Sequence, residues 1–244
     1  MSTDVNTPSR AARFAAALRA RERLVGYWSV LDAPVATERV ARLGYDYVCL
    51  DAQHGLFGYA GMLNSLTAID AGGASVGLVR VAANDAVPIG QALDAGAAGV
   101  IVPMIDTAAQ AADAVAACRY APAGRRSYGP MRAQLRIGPD PAEAHAATVV
   151  LAMIETAAGL ADLKAICATP GLDGVYVGPS DLRIALGGAS STDAAVSKEF
   201  EAAVAEVRTA AAEAGIAAGI HTPDGATAAR RLAEGFTFAS VACD

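Results

Sequence analysis

Lysine is almost absent: Lys164 and Lys198 are the only two, and neither closes an apolar run. A covalent imine mechanism needs a desolvated lysine in the reaction site, so Schiff-base chemistry is disfavoured. Cysteine is sparse and scattered, with Cys49, Cys118, Cys167 and Cys243 forming no CxxC pair or zinc-like spacing. They read as small buried hydrophobes, and zinc is a poor candidate. No GxGxxG and no GxxxxGK[ST] follows an apolar run, which argues against a dinucleotide fold and a P-loop. No apolar run reaches the roughly 18–20 residues a membrane span requires. Charge of one sign is lacking too: the net charge is −6, with no block rich in Lys or Arg. That balance argues against a nucleic-acid partner and a membrane-surface patch. Met1 to Arg23 has arginines among alanines but neither the apolar core nor the cleavage site of a secretory signal. It is expected to be a leading helix on a cytoplasmic protein.

What is present is alternation. Hydrophobic residues make up 54% of the 244 residues. From Leu24 onward short apolar runs alternate with alanine-rich amphipathic stretches, as in repeated βα units around a parallel sheet. The expected strands are Leu24–Val30, Tyr45–Asp51, Ser75–Val81, Gly99–Ile105, Val149–Glu155, Gly174–Gly178, Ile216–His221 and Phe236–Cys243. "GVIVPM" and "TVVLAMI" are apolar without polar alternation, as strands covered on both faces are. Helical stretches lie between them, and several end on a glycine such as Gly44, Gly96, Gly215 or Gly235, the residue that best tolerates a left-handed C-cap. No linker interrupts the series. The reading is one α/β domain spanning 1–244, a (β/α)8 TIM barrel with 1–23 as a leading helix; a doubly wound open sheet is the alternative. The irregular stretch Ala121–Asp140 is too long for an ordinary connection, so it is expected to be functional or at an interface.

In such a barrel the C-terminal strand ends form the active-site mouth. The polar residues there are Asp51, Gln53, His54, Arg80, Glu155, Asp181, His221 and Asp244. Glu155 follows an apolar strand, so burial obliges it to be ion-paired (Arg80 is a candidate), protonated or metal-bound. Asp181 has the same setting, and the favoured reading makes the two carboxylates ligands of Mg²⁺ or Mn²⁺, with Co²⁺ a further candidate. His54 is the expected general base, because an unperturbed imidazole titrates near neutrality. His221 is the weaker candidate for that role, and His145 reads as a solvated helix residue.

The segments "DYVCLDAQHGL", "RYAPAGRRSYGPMRA", "MIETAAGLADL" and "DGVYVGPSDLRIALG" resemble the metal-dependent class II pyruvate aldolases of the HpcH/HpaI family. The resemblance implies a phosphoenolpyruvate/pyruvate-domain-like barrel that cleaves or forms 4-hydroxy-2-oxo acids, giving pyruvate and an aldehyde. It implies Glu155 and Asp181 as metal ligands, His54 as base, Arg80 as the cation facing the enolate oxygen, and Asp94 as the acid that raises the basicity of His54. Met153, Gly178, Pro179 and Ser180 would line the substrate. It further implies a homo-oligomer, a hexamer or trimer of dimers, with a helix after Asp244. Gln53 and Met153 depart from the Glu and Gln frequent in the family, which bears on substrate scope. Rival expectations are a lyase of malyl- or citramalyl-CoA thioesters, with Arg125, Arg126, Arg132 and Arg136 as the phosphate patch, and a ligand-binding barrel without turnover.

Overall fold

Each apolar run becomes a parallel strand, and the eight close on one another in sequence order. The computed structural model describes residues 8–244. The strands are β1 Leu24–Ser29, β2 Tyr47–Asp51, β3 Val76–Arg80, β4 Gly99–Val102, β5 Val149–Ile154, β6 Gly174–Val177, β7 Ala217–Thr222 and β8 Phe238–Cys243. Every neighbouring pair is parallel, including β1 with β8. The closed barrel replaces the open-sheet alternative. The helices are α1 Arg10–Arg19, α2 Pro34–Val40, α3 Tyr59–Gly72, α4 Ala86–Asp94, α5 Ala108–Cys118, α6 Pro141–Ala147, α7 Ala157–Ala161, α8 Leu163–Cys167, α9 Pro179–Ala185, α10 Ser197–Ala214 and α11 Gly225–Glu234. Residues 1–7 of the expected leading helix lie outside the described residues. Among the described residues no helix is long and apolar enough to cross a membrane.

Two cores follow from the strand alternation. One lies between the sheet and its helices and includes Val48, Leu50, Val79, Val100, Val150 and Val175. The other fills the barrel with Trp28, Tyr47, Leu78, Ile101, Leu151, Met153, Tyr176 and Phe238. Such large rings need room: a Cβ at Gly219 would sit 2.2 Å from the Phe238 ring, so glycine is required in β7. Tyr47 and Tyr176 both reach Ser240 Oγ, at 2.8 and 2.7 Å, which satisfies hydroxyls that burial would otherwise strand. At the N-terminal end Phe14 and Leu18 of α1 close this core. Arg19 Nε donates to Asp173 at 2.6 Å, and the same carboxylate receives Arg119 Nη2 and Val150 N. The amphipathic leader is therefore a plug, fastened by an ion pair, that leaves the opposite mouth open.

Candidate active site

The register of β2 and β3 sets Asp51 beside Arg80. Both side chains are buried, and the guanidinium grips the carboxylate in fork geometry, Nε to Oδ1 at 2.9 Å and Nη2 to Oδ2. Trp28 Nε1 adds a 3.2 Å bond to Oδ2, and its ring lies 5.1 Å from the Arg80 guanidinium carbon. Burial would raise the Asp51 carboxyl, but the bonds and charge of Arg80 outweigh it and hold it below the usual carboxylate range. Asp51 Oδ1 also accepts from the backbone N–H of Gln53 and of His54, each at 3.1 Å. The turn carrying the exposed His54 is thus hung on the carboxylate that orients Arg80.

Glu155 stands one residue beyond β5 and is 2% exposed. Its Oε1 accepts from Met104 N at 2.8 Å, while Oε2 is buried without a partner. Met104 supplies that N–H from a left-handed backbone, φ 55°, at a cost of about 1–2 kcal/mol for an L-residue. Burial pushes the Glu155 carboxyl up; the Met104 N–H works against this, while nearby Asp181, in the first turn of α9, adds to the rise. Gly178 completes the cradle, because a Cβ there would come within 2.5 Å of Glu155 Oε2 and 2.6 Å of Met153 Cε.

This donor set suits a hard divalent cation. Asp181 does not share the buried setting expected of it: it is exposed, while Glu155 is buried with an orphaned oxygen, and the two carboxylates lie close enough for Asp181 to raise Glu155, a pairing of like charges that a cation would relieve. Among the described residues no group of three or more His, Cys, Asp or Glu gathers. A pair of carboxylates alone would leave much of an octahedral shell to water and substrate oxygens, as a catalytic site requires.

Trp28, His54, Arg80, Met153, Gly178, Pro179, Ser180, Asp181 and His221 line one cavity of about 160 Å³. The structure thus brings His54, Arg80, Met153, Gly178, Pro179, Ser180, Asp181 and His221 onto one cavity, while Glu155, Asp51 and Gln53 do not line it and Glu155 borders it through Gly178. Asp94 stands apart. It ends α4 on the opposite rim, where Arg126 Nη2 pairs with it at 2.5 Å. A helix that follows a barrel strand returns its C-terminal end to the strand starts, so within one chain Asp94 does not reach His54. The stretch Ala121–Asp140 lies on that rim for the same reason. Its arginines are engaged: Arg125 with Asp113, Arg126 with Asp94, and both Arg132 and Arg136 with Asp70. They form no phosphate patch at the mouth of this chain. Asp244 caps the end of β1, accepting from Ser29 Oγ, Val30 N and Leu31 N, and does not line the cavity. His145 lies on a helix, α6, as expected, but is half-buried, and its Nε2 accepts from Tyr120 N at 2.7 Å.

Sequence reasoning missed Trp28, which resembles any apolar strand residue until its indole N–H is placed. His221 packs edge-on against that ring at 5.1 Å. Burial, with Arg80 adding to it, lowers its pKa to about 4, so it is neutral near pH 7. The folded pKa lies below the unfolded value of roughly 6.5, so between those limits the unfolded chain binds more protons. Stability should therefore fall as pH drops from about 6.5 to about 4, by at most ~3 kcal/mol from this group. Urea midpoints of wild type and His221→Gln at both ends of that window would check it. The variant should lose less stability on acidification; parallel curves would refute it.

The family profile of HpcH/HpaI aldolase/citrate lyase matches residues 24–244. Hydroxypyruvate/pyruvate aldolase of Rhizorhabdus wittichii is 42% identical over 225 residues, 92% of this chain and 88% of that protein. The 5-keto-4-deoxy-D-glucarate aldolase of Klebsiella pneumoniae is 36% identical, covering 95% of this chain and 90% of its own length. A solved HpcH/HpaI aldolase/citrate lyase family protein from Burkholderia cenocepacia superposes with a TM-score of 0.85 at 32% identity, over 96% of this chain and 93% of its own.

Proposed function

This chain belongs to the HpcH/HpaI aldolase/citrate lyase family, and from that premise we propose that it is a divalent-metal-dependent pyruvate aldolase, cleaving or forming 4-hydroxy-2-oxo acids. The observation that carries the reading is the orphaned Glu155 Oε2 beside Asp181, in a cradle kept open by Gly178. Mg²⁺ or Mn²⁺ held by Glu155 and Asp181 would polarise the oxygens of a 2-oxo acid. The chain's own groups do the rest. Arg80, fixed by Asp51 and Trp28, presents positive charge where the C2 oxygen becomes an enolate. Ser180 lines the same cavity in the first turn of α9, and its backbone amide would hold the substrate carboxylate. His54, its amide anchored on Asp51, moves a proton at the pyruvate methyl or, through water, at the 4-hydroxyl. Retro-aldol cleavage breaks the C3–C4 bond and releases pyruvate and an aldehyde. Leu56, Tyr59, Val87 and Met104, all in segments that follow β2, β3 or β4, are exposed, and exposed apolar residues on the mouth side support assembly of copies near the site.

Deuterium uptake at the pyruvate methyl tests the enolate step without any aldehyde. Exchange should vanish after EDTA treatment and return with Mn²⁺ or Mg²⁺. No metal-dependent exchange in the wild-type protein would refute the reading.

A further inference from the structure

His221 has no part in the enolate chemistry, although its ring lines the same cavity as His54 and Arg80. Packing alone holds it. Trp28 meets the imidazole edge-on, and Trp28 is itself fixed by its bond to Asp51 and by stacking on Tyr176 at 5.7 Å. Nδ1 is buried and has no hydrogen-bond partner. Among the described residues Nε2 has none either, but it is not buried, so it is the nitrogen open to the cavity.

A neutral imidazole carries one proton, and burial with the nearby Arg80 keeps this ring neutral near pH 7. Buried N–H groups without an acceptor are rarer in folded proteins than buried lone pairs without a donor. The proton therefore belongs on Nε2, and the lone pair is shut away on Nδ1. A ring in that state takes no proton from a substrate, so His221 is not a second base. What it presents to the cavity is one fixed N–H.

In the aldolase reading the substrate carboxylate lies at the Ser180 amide and the C2 oxygen at Arg80. C2 is planar, so C3 points away from both. Met153 and Gly178 to Asp181 come from the β5 and β6 ends that bear the two carboxylates, which leaves Trp28, His54 and His221 as the wall facing C3. His54 belongs there, because C3 is where the enolate proton departs. A methyl at C3 leaves the Nε2–H of His221 unanswered, whereas a hydroxyl would accept it.

We propose that His221 is a specificity-determining residue that donates from Nε2 to a hydroxyl on C3 of the nucleophile, so that the site selects 3-hydroxy-2-oxo acids over nucleophiles with a methyl in place of that hydroxyl. The proposal rests on the aldolase reading and names a nucleophile class for it. The bond changes stay those of the aldol step: C3 loses a proton and bonds the aldehyde carbon, and the aldehyde oxygen gains a proton, giving a 3,4-dihydroxy-2-oxo acid. A site built to pair a substrate hydroxyl discriminates against the analogue that leaves its polar group unpaired.

The test compares hydroxypyruvate with 2-oxobutanoate, which differ by a hydroxyl against a methyl of similar size, as nucleophiles toward propanal. Each is measured in wild type, His221→Leu and His221→Gln. The intrinsic reactivities of the two acids cancel when the ratio of their kcat/KM values is compared between proteins. From wild type to His221→Leu that ratio should shift away from hydroxypyruvate by about tenfold, the scale of one lost hydrogen bond. His221→Gln, whose amide N–H reaches about as far as Nε2, should keep part of the preference. Trp28 is the only tryptophan in the chain and lines the cavity, so its fluorescence in the Mg²⁺-loaded protein without aldehyde gives a Kd for each acid. The Kd ratio should move with the kcat/KM ratio. Ratios that stay the same in His221→Leu, including an equal loss on both acids, overturn the contact. Absent deuterium exchange on pyruvate in wild type overturns the aldolase reading instead, and the fluorescence titration, which needs no turnover, still decides the contact.

Discussion

Glu155→Gln should lower kcat/KM for retro-aldol cleavage by roughly 10²–10³-fold, the scale of removing one preorganised electrostatic contact to the transition state, while the barrel stays folded. The substitution is nearly isosteric. The amide oxygen can keep the 2.8 Å bond from Met104 N, and the amide nitrogen takes the place of the orphaned Oε2. What is lost is one negative charge. In the metal-free protein that loss is favourable, because burial and Asp181 both push the Glu155 carboxyl upward. The melting temperature of the metal-free variant should therefore equal or exceed that of wild type. The contrast comes on adding Mn²⁺. A ligand present at a hundredfold its Kd stabilises the folded state by about 2.7 kcal/mol, and this rise should appear in wild type and not in Glu155→Gln. A variant that keeps more than a tenth of its activity, or keeps the Mn²⁺-dependent rise, would show that Glu155 does not hold the ion.

Glu155 was legible in the sequence because a parallel strand covered on both faces leaves a terminal carboxylate conspicuous. The eight strands were legible for the same reason, with some ends unmoved and none shifted by more than three residues. Asp51 and Arg80 were visible as polar strand ends, but their pairing was not. They are 29 residues apart, and only the β2–β3 register makes them neighbours, so the expected alternative of Arg80 bridging Glu155 gives way to Asp51. Trp28 carried no signal, since its role depends on where one N–H points. The left-handed turn at Met104 was equally silent, because no glycine marks it. The arginines of Ala121–Asp140 were misplaced by reading composition before topology, whereas Asp94 was singled out by the resemblance alone and lies, as topology dictates for the end of α4, on the rim away from the mouth of this chain. An arginine-rich stretch suggests anion binding, yet a connection from helix to strand lies at the rim away from the mouth, and the nearby aspartates Asp70, Asp94 and Asp113 absorb its charge.

Asp51→Ala should cost about 3–5 kcal/mol of folding stability, the range for breaking a buried ion pair by removing one partner. Against a total of about 5–15 kcal/mol for a typical domain, the variant would be marginal at 37 °C. The loss has separable parts. Arg80, 6% exposed, is left with an uncompensated charge, the Trp28 indole N–H loses its acceptor, and the amides of Gln53 and His54 lose theirs. Asp51→Asn keeps an oxygen for the two amides but no charge for Arg80, so it should fall between wild type and Asp51→Ala in urea midpoint. The double variant Asp51→Ala/Arg80→Met decides which part dominates. If the stranded guanidinium is the main cost, removing it makes the double variant more stable than Asp51→Ala alone, a positive coupling that a double-mutant cycle measures directly. If the double variant is less stable than either single one, the carboxylate matters chiefly as an anchor for the His54 turn. A cost below about 1 kcal/mol for Asp51→Ala would mean that water reaches Arg80, and the fixed cation assigned to the enolate oxygen would lose its physical basis.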